Sequence, residues 1–200
     1  TGLQPFAQQF PQRSYDVGIA EEHAVTFACG LAAGGMLPVF AVYSTFLQRG
    51  FDQLIHDASI QPQHVVLGVD RAGLVGEDGE THHGVFDAAY LDSIPGMTVL
   101  APSSYAELEQ MLERAVLRLD GPVAVRYPRG GEGGYTGDSG PEAAVVLRQG
   151  GDVTLAGYGA MINDLLAAAD QLAREGIQAE IVKFNTLTPL EPQVFLDSVR

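Results

Sequence analysis

Residues 70–84 (DRAGLVGEDGETHHG) hold the densest set of side chains suited to chemistry, directly after an apolar segment. Glycines in this run let a backbone approach a ligand, Arg71 can pair with an anion, and Asp78 with His82 can orient or transfer protons. Long loops without secondary structure are usually functional or disordered, which favours a functional loop over a solvated one with incidental histidines. A metal site from Asp78, His82 and His83 is disfavoured, because their spacing matches neither a zinc nor a magnesium pattern.

A second candidate is Glu21, which with Glu22 begins a predicted helix of small residues. Two carboxylates at a helix start can simply complement the helix dipole. The alternative is a functional carboxyl, because Glu21 lies between the apolar residues 17–20 and that helix, where it would be buried and keep a proton.

A third candidate is the segment 125–131 (VRYPRGG), in which Arg126 and Arg129 stand near a strand end before a glycine pair. Two such arginines can clamp a phosphate. The alternative is one structural ion pair and one solvated arginine. Tyr43 and Phe46 follow another strand, where aromatic residues can equally be packing residues.

The elements that must position these side chains alternate along residues 1–130. Apolar runs predict strands at 38–43, 64–69, 97–101 and 122–127, and helical spacing predicts helices at 22–34, at 46–58 capped by Ser44 and Thr45, at 85–94 and at 104–119. Such alternation predicts an α/β fold, a doubly wound and mostly parallel sheet with helices on both faces. Ligands of such sheets bind beyond the carboxyl ends of the strands, where all three candidate segments lie.

A change of composition follows residue 130. The glycine-rich residues 131–144 lack periodicity and predict a linker. Residues 145–200 predict part of a second α/β domain, with a strand at 152–156, a helix at 160–175, a strand at 177–184 and a helix beginning near residue 191.

Composition narrows the functional classes. The 200 residues are 46% hydrophobic, enough for a real core, and the formal net charge of −14 disfavours binding to nucleic acid or anionic membranes. A single cysteine, Cys29, and no apolar run long enough to span a membrane favour a cytoplasmic protein.

Four segments together resemble the 1-deoxy-D-xylulose-5-phosphate synthases, thiamine-diphosphate enzymes of the transketolase superfamily. The segments are Tyr15–Ala32, Pro38–Asp57, Asp70–Asp87 and Ala124–Gly130, and they occur in the family's order. The resemblance implies that residues 1–130 are a pyrimidine-binding domain and that residues 145–200 begin the family's C-terminal domain. It also implies the condensation of pyruvate with glyceraldehyde 3-phosphate, with loss of carbon dioxide, in a route to isoprenoids and thiamine.

The resemblance further implies a role for eight residues. Glu21 would hydrogen-bond the cofactor's aminopyrimidine ring and so help to generate its nucleophilic carbon. Catalytic roles fall to Glu21, Asp78 and His82; cofactor binding to Glu21, Phe46 and Arg49; and substrate binding to Tyr43, Arg71, Asp78, His82 and Arg129. On charge grounds Arg71 and Arg129 suit the phosphate.

The resemblance implies thiamine diphosphate and Mg²⁺ as cofactors, with the metal ligands in an N-terminal domain not seen in these residues. The chain is therefore expected to be an inactive fragment of an enzyme that is a homodimer at full length. Alternative interpretations are the pyrimidine-binding subunit of another thiamine enzyme, such as a split transketolase or a 2-oxo-acid dehydrogenase β subunit, and a non-catalytic dimerisation module.

Overall fold

The computed structural model describes residues 2–199, in which eight strands and eight α-helices alternate for most of the chain. The strands are β1 (Val39–Tyr43), β2 (Val66–Asp70), β3 (Thr98–Leu100), β4 (Val123–Arg126), β5 (Ala144–Arg148), β6 (Val153–Tyr158), β7 (Ala179–Phe184) and β8 (Thr186–Thr188). The helices are α1 (Gln4–Gln9), α2 (Glu21–Ala33), α3 (Ser44–Leu47), α4 (Phe51–Gln53), α5 (Asp87–Asp92), α6 (Tyr105–Leu117), α7 (Met161–Arg174) and α8 (Gln193–Ser198). No helix among these residues is long and apolar enough to cross a membrane.

The first sheet has the strand order β1-β2-β4-β3-β8, and its first four strands are parallel. β2 and β4 lie inside the sheet, and their apolar side chains are buried, as expected for strands covered on both faces. The predicted α/β architecture is confirmed by the topology.

Helices cover both faces of this sheet. Leu67 and Val69 pack with Val25 of α2 in one core, while Val66 and Val125 pack with residues of α6 in the other. α6 begins where the sequence predicts, because the Ser104 hydroxyl accepts a hydrogen bond from the Glu107 backbone at 3.1 Å.

The helical segment after β1 is less regular than predicted. α3 passes into a 3₁₀ turn at Gln48–Gly50, then α4, then a π-helical turn at Leu54–Ser59. The predicted cap of Ser44 and Thr45 is wrong, since Ser44 is the first helical residue and no side chain caps the helix. A Cβ on Gly50 would lie 2.9 Å from Val25 Cγ2, so this glycine permits the close approach of the segment to α2.

The second sheet has the order β5-β7-β6 and packs against α7. β5 and β8 were not among the predicted strands. β8 pairs antiparallel with β3, so the chain returns to the first sheet after β7 ends at residue 184.

A buried polar cluster joins the two sheets; we call it the junction cluster and define it as Glu107, Tyr135, Ser139, Lys183 and Asn185. Lys183 Nζ lies 2.9 Å from Glu107 Oε1 and donates to Ser139 Oγ at 3.0 Å and to Asn185 Oδ1, and the Lys183 and Glu107 side chains are 0% and 1% exposed. Tyr135 and Ser139 also donate to Glu107 Oε1, at 3.0 Å and 2.8 Å. Burial acts to raise the pKa of Glu107, but the hydrogen bonds and charge around it hold that pKa below its ordinary value.

Candidate functional site

Three neighbouring parallel strands bring the predicted residues to one edge of the first sheet. Tyr43 at the end of β1 pairs in register with Asp70 at the end of β2, and Val69 pairs with Arg126 of β4. Since parallel strands share their carboxyl edge, the segments that follow β1, β2 and β4 meet there.

Glu21 and Arg49 form the first part of this site. Glu21 is the first residue of α2 and its side chain is 10% exposed; Arg49 Nη1 donates to Glu21 Oε1 at 3.2 Å. The Arg49 guanidinium also lies 5.4 Å from the centre of the Phe46 ring, a cation–π distance. The close contact of Gly50 with α2 allows the Arg49–Glu21 pair to form, because it places the 3₁₀ turn that carries Arg49 against α2.

A cavity of about 200 Å³ opens beside Glu21. Tyr43 and Phe46 line it, together with backbone and apolar side chains from α2, from the segment before it and from β1. An apolar cavity with one carboxyl at its wall suits a flat ring that carries polar atoms at its edge.

Aromatic and cationic side chains continue from this cavity along the sheet edge. The rings of Tyr43 and Phe46 are stacked, with centroids 5.6 Å apart, and the His82 ring meets Phe46 edge-on at 5.2 Å. The Arg71 guanidinium carbon lies 3.8 Å from the centre of the Tyr43 ring. Glu21, Phe46, His82, Tyr43 and Arg71 are therefore parts of one continuous surface.

Arg71 and Arg129 converge on Asp78. Arg71 Nε donates to Asp78 Oδ2 at 2.8 Å, Arg129 Nε lies 3.1 Å from Asp78 Oδ1, and Arg129 Nη2 donates to Glu77 at 3.2 Å. The hydrogen bond from Arg71 and the charges of both arginines hold the pKa of Asp78 below its ordinary value. Asp78 is thus ionised at neutral pH, and it is one of three carboxylates, with Asp70 and Glu77, that pair with the two arginines.

The loop that carries Asp78 and His82 is closed at its base. Gly73 and Gly84 exchange two backbone hydrogen bonds, of 2.7 Å and 2.8 Å. A Cβ on Gly84 would lie 2.4 Å from both the Arg71 carbonyl oxygen and Ser44 Oγ, so no larger residue fits without rearrangement. His83 Nδ1 accepts a hydrogen bond from the Val75 backbone at 3.1 Å, which gives this histidine a structural contact inside the loop.

Arg126 does not join this cluster. Its Nε and Nη2 donate to both oxygens of the buried Asp87, at 2.8 Å and 3.2 Å. The predicted clamp of Arg126 with Arg129 is therefore wrong, and the alternative of a structural ion pair is confirmed for Arg126. Glu22 is exposed, in contrast to the buried Glu21.

The roles of two acidic residues were not predicted, one at the site (Asp70) and one beside it (Asp87). Asp70 accepts hydrogen bonds from both the backbone and the side chain of Arg71, and Asp87 holds Arg126. The position of Asp70 at a strand end was a signal for its role, whereas the partner of Asp87 is 39 residues away and no local pattern indicates it. Among residues 2–199, no group of three or more His, Cys, Asp or Glu side chains is placed to hold a metal ion.

The sequence of this chain is similar to known proteins over its whole length. The profile of the transketolase pyrimidine-binding domain matches residues 1–131, and that of the transketolase C-terminal domain matches residues 142–200. The chain is 50% identical over 205 aligned residues to the 1-deoxy-D-xylulose-5-phosphate synthase of Thermomicrobium roseum, and the match covers 100% of this chain and 33% of the relative. It is also 50% identical over 205 residues to that of Syntrophus aciditrophicus, covering 100% and 31%.

A solved structure shows the same fold. It is described as a split gene transketolase, inactive beta4 tetramer, and has a TM-score of 0.87, 30% identity, and a match covering 98% of this chain and 64% of the other. This chain spans about a third of the length of the curated relatives it matches.

Proposed function

Because this chain belongs to the transketolase family, we propose that it forms part of a thiamine-diphosphate-dependent enzyme that condenses pyruvate with glyceraldehyde 3-phosphate. The product would be 1-deoxy-D-xylulose 5-phosphate, with release of carbon dioxide. The identity of 50% to synthases of that name supports this choice among thiamine enzymes.

The cavity beside Glu21 fits the aminopyrimidine ring of the cofactor. Phe46 offers a flat apolar face, and Glu21 presents a carboxyl that Arg49 holds by one oxygen, which leaves the other oxygen for a ring nitrogen. When bound, thiamine diphosphate supplies the nucleophilic carbon to which pyruvate adds. Glu21 would share a proton with the bound ring, at the wall of a cleft whose lining is mostly apolar.

The end of the site that holds Arg71 and Arg129 suits the phosphorylated substrate. Arg71 and Arg129 both place guanidinium groups beside Asp78, and guanidinium groups donate charge-assisted hydrogen bonds to phosphate oxygens. His82 lies between this end and the cavity, in contact with Phe46, where it can exchange a proton with a substrate hydroxyl or carbonyl oxygen. Tyr43 lies between the cavity and the Arg71 end of the site, since its ring stacks on Phe46 and also contacts the Arg71 guanidinium.

The remaining part of the cofactor would be held by residues outside this chain. We assign the binding of the diphosphate and Mg²⁺ to residues in the part of the relatives that this chain does not span. We also propose that the natural enzyme is a homodimer. The 200-residue chain by itself is therefore expected to bind thiamine diphosphate weakly and to form no product.

The single observation that carries the proposal is the continuity of the cavity, the Tyr43–Phe46–His82 surface and the Arg71–Asp78–Arg129 cluster. Purified natural polypeptide would be incubated with pyruvate, glyceraldehyde 3-phosphate, thiamine diphosphate and Mg²⁺, and the products identified by mass spectrometry. The five-carbon sugar phosphate is expected with one carbon dioxide per turnover, and none without thiamine diphosphate. Absence of this product from folded, cofactor-loaded polypeptide would refute the proposal.

A second candidate is a transketolase-type reaction, which the similarity to the split gene transketolase favours. In that case a ketose phosphate, rather than pyruvate, would be the donor, and no carbon dioxide would be released. Supplying the two donors separately with the same aldehyde distinguishes the two functions.

A further inference from the structure

Arg71 has an unusual backbone conformation. Its φ of 60° makes it the one non-glycine residue between residues 2 and 199 with a positive φ. Residues with a Cβ adopt this left-handed region rarely, so surrounding contacts must hold it.

Asp70 supplies those contacts. Its Oδ1 accepts a hydrogen bond from the Arg71 backbone N–H at 2.7 Å, and its Oδ2 accepts one from Arg71 Nη1 at 2.7 Å. One carboxylate therefore fixes both the backbone turn and the direction of the side chain. Asp70 is itself held in place as the last residue of β2, paired in register with Tyr43.

The result is a guanidinium with a fixed orientation. Nη1 is engaged by Asp70 and Nε by Asp78, and the plane lies 3.8 Å from the centre of the Tyr43 ring. This arrangement leaves Nη2 for a ligand. The Arg71 side chain is only 20% exposed, so a ligand can reach only a small part of it.

We propose that Asp70 is a positioning residue that orients Arg71 toward the phosphate of the acceptor substrate. This inference rests on the proposed function, because it takes the Arg71 end of the site to bind a phosphorylated aldehyde. Asp70 does not touch the substrate; it acts through Arg71.

The proposal predicts that removal of the Asp70 carboxylate changes anion affinity in the direction opposite to the one that charge alone would give. Removal of a negative charge next to an anion site should tighten anion binding if charge alone matters. If Asp70 orients Arg71, its loss should weaken anion binding, because the guanidinium is then free to turn and its backbone can leave the left-handed region.

The test uses Asp70→Asn and Asp70→Ala in the natural polypeptide, with Glu80→Gln as the control. Glu80 is an exposed carboxylate in the same loop, so its replacement removes one charge without touching Arg71. We expect KM for glyceraldehyde 3-phosphate to rise about tenfold in both Asp70 variants, with KM for pyruvate within about twofold of wild type. Glu80→Gln should leave both values unchanged.

Other outcomes contradict the proposal. A lower KM for glyceraldehyde 3-phosphate in Asp70→Asn would show that the charge of Asp70 dominates. A lower melting temperature with both KM values unchanged would show a purely structural role.

Failure of the proposed function would be visible separately. If wild-type polypeptide forms no product, calorimetric titration with inorganic phosphate still measures the anion site. Weaker phosphate binding in Asp70→Asn than in wild type and Glu80→Gln would support the positioning role, and equal or tighter binding would overturn it.

Discussion

Two carboxylate–cation pairs in this molecule differ in how completely they are satisfied. At the sheet edge, Glu21 meets Arg49 at 3.2 Å, and their side chains are 10% and 51% exposed. In the junction cluster, Glu107 meets Lys183 at 2.9 Å, and both side chains are essentially inaccessible. The first pair stands beside a cavity, whereas protein groups surround the second on all sides.

The difference indicates which carboxylate is available for chemistry. Glu107 accepts hydrogen bonds from Lys183, Tyr135, Ser139 and the Ser103 backbone, so its oxygens are already occupied. Such a satisfied pair fixes structure, because breaking it leaves a buried charge without a partner. Glu21 has one hydrogen bond from Arg49 and an open side toward the cavity, which is the condition for binding a ligand.

The largest effect is expected from Glu21→Gln in the natural polypeptide. An amide keeps the shape of the side chain but cannot share a proton with the cofactor ring, so kcat should fall by about 10²–10⁴-fold. The unfolding free energy should change by less than about 1 kcal/mol, because the Arg49 side chain of the pair is half-exposed. Steady-state kinetics and urea denaturation measure the two quantities. Glu22→Gln is the matched control, since the neighbouring carboxylate is exposed, and equal loss of activity in both variants would contradict the comparison.

The same isosteric change at the other pair should have the opposite profile. Glu107→Gln leaves Lys183 buried without its counter-charge, and we expect a loss of about 3–5 kcal/mol in unfolding free energy. Glu109→Gln, on the exposed side of α6, should be nearly neutral. At a temperature where the Glu107 variant remains folded, kcat should stay close to wild type. A stable Glu107→Gln protein would show that the junction cluster is not the structural pair described above.

A smaller effect is expected from pH. The pKa of Glu107 is lowered in the folded protein, so its contribution to stability is present above the unfolded value of about 4.3 and is lost as the pH falls through the folded value. The stability difference between wild type and Glu107→Gln should therefore be largest near neutral pH and should narrow as the pH falls below about 4. Denaturation curves at several pH values measure it, and a difference independent of pH would contradict an ionised Glu107.

Much of the first sheet could be predicted from the sequence because its strands are buried on both faces. β2 and β4 are continuous apolar runs, and the capping residue Ser104 predicts the start of α6. β8 escaped prediction because three residues carry no periodicity, and its pairing with β3 is a long-range contact. The irregular helix after β1 also escaped, since its course depends on packing at Gly50 against α2.

Part of the site could be predicted because several of its residues are close together in sequence. Arg71, Asp78 and His82 lie in one loop and Tyr43 with Phe46 in one turn, so local sequence already gathers them. The ion-pair partners of Arg126 and Lys183 are distant in sequence, so only the folded structure identifies these two pairs. Roles for the eight predicted residues remain predictions that the experiments above address.

Lys183 is also the single lysine of the chain; the other ten basic residues are arginines. While the junction cluster is closed, the Lys183 side chain is fully buried. Reagents that acylate primary amines therefore cannot reach a lysine side chain in residues 2–199. Each opening of the cluster would expose one ε-amine to such a reagent. The rate of its acylation, followed by mass, would thus report how often the junction cluster opens, with no engineered probe.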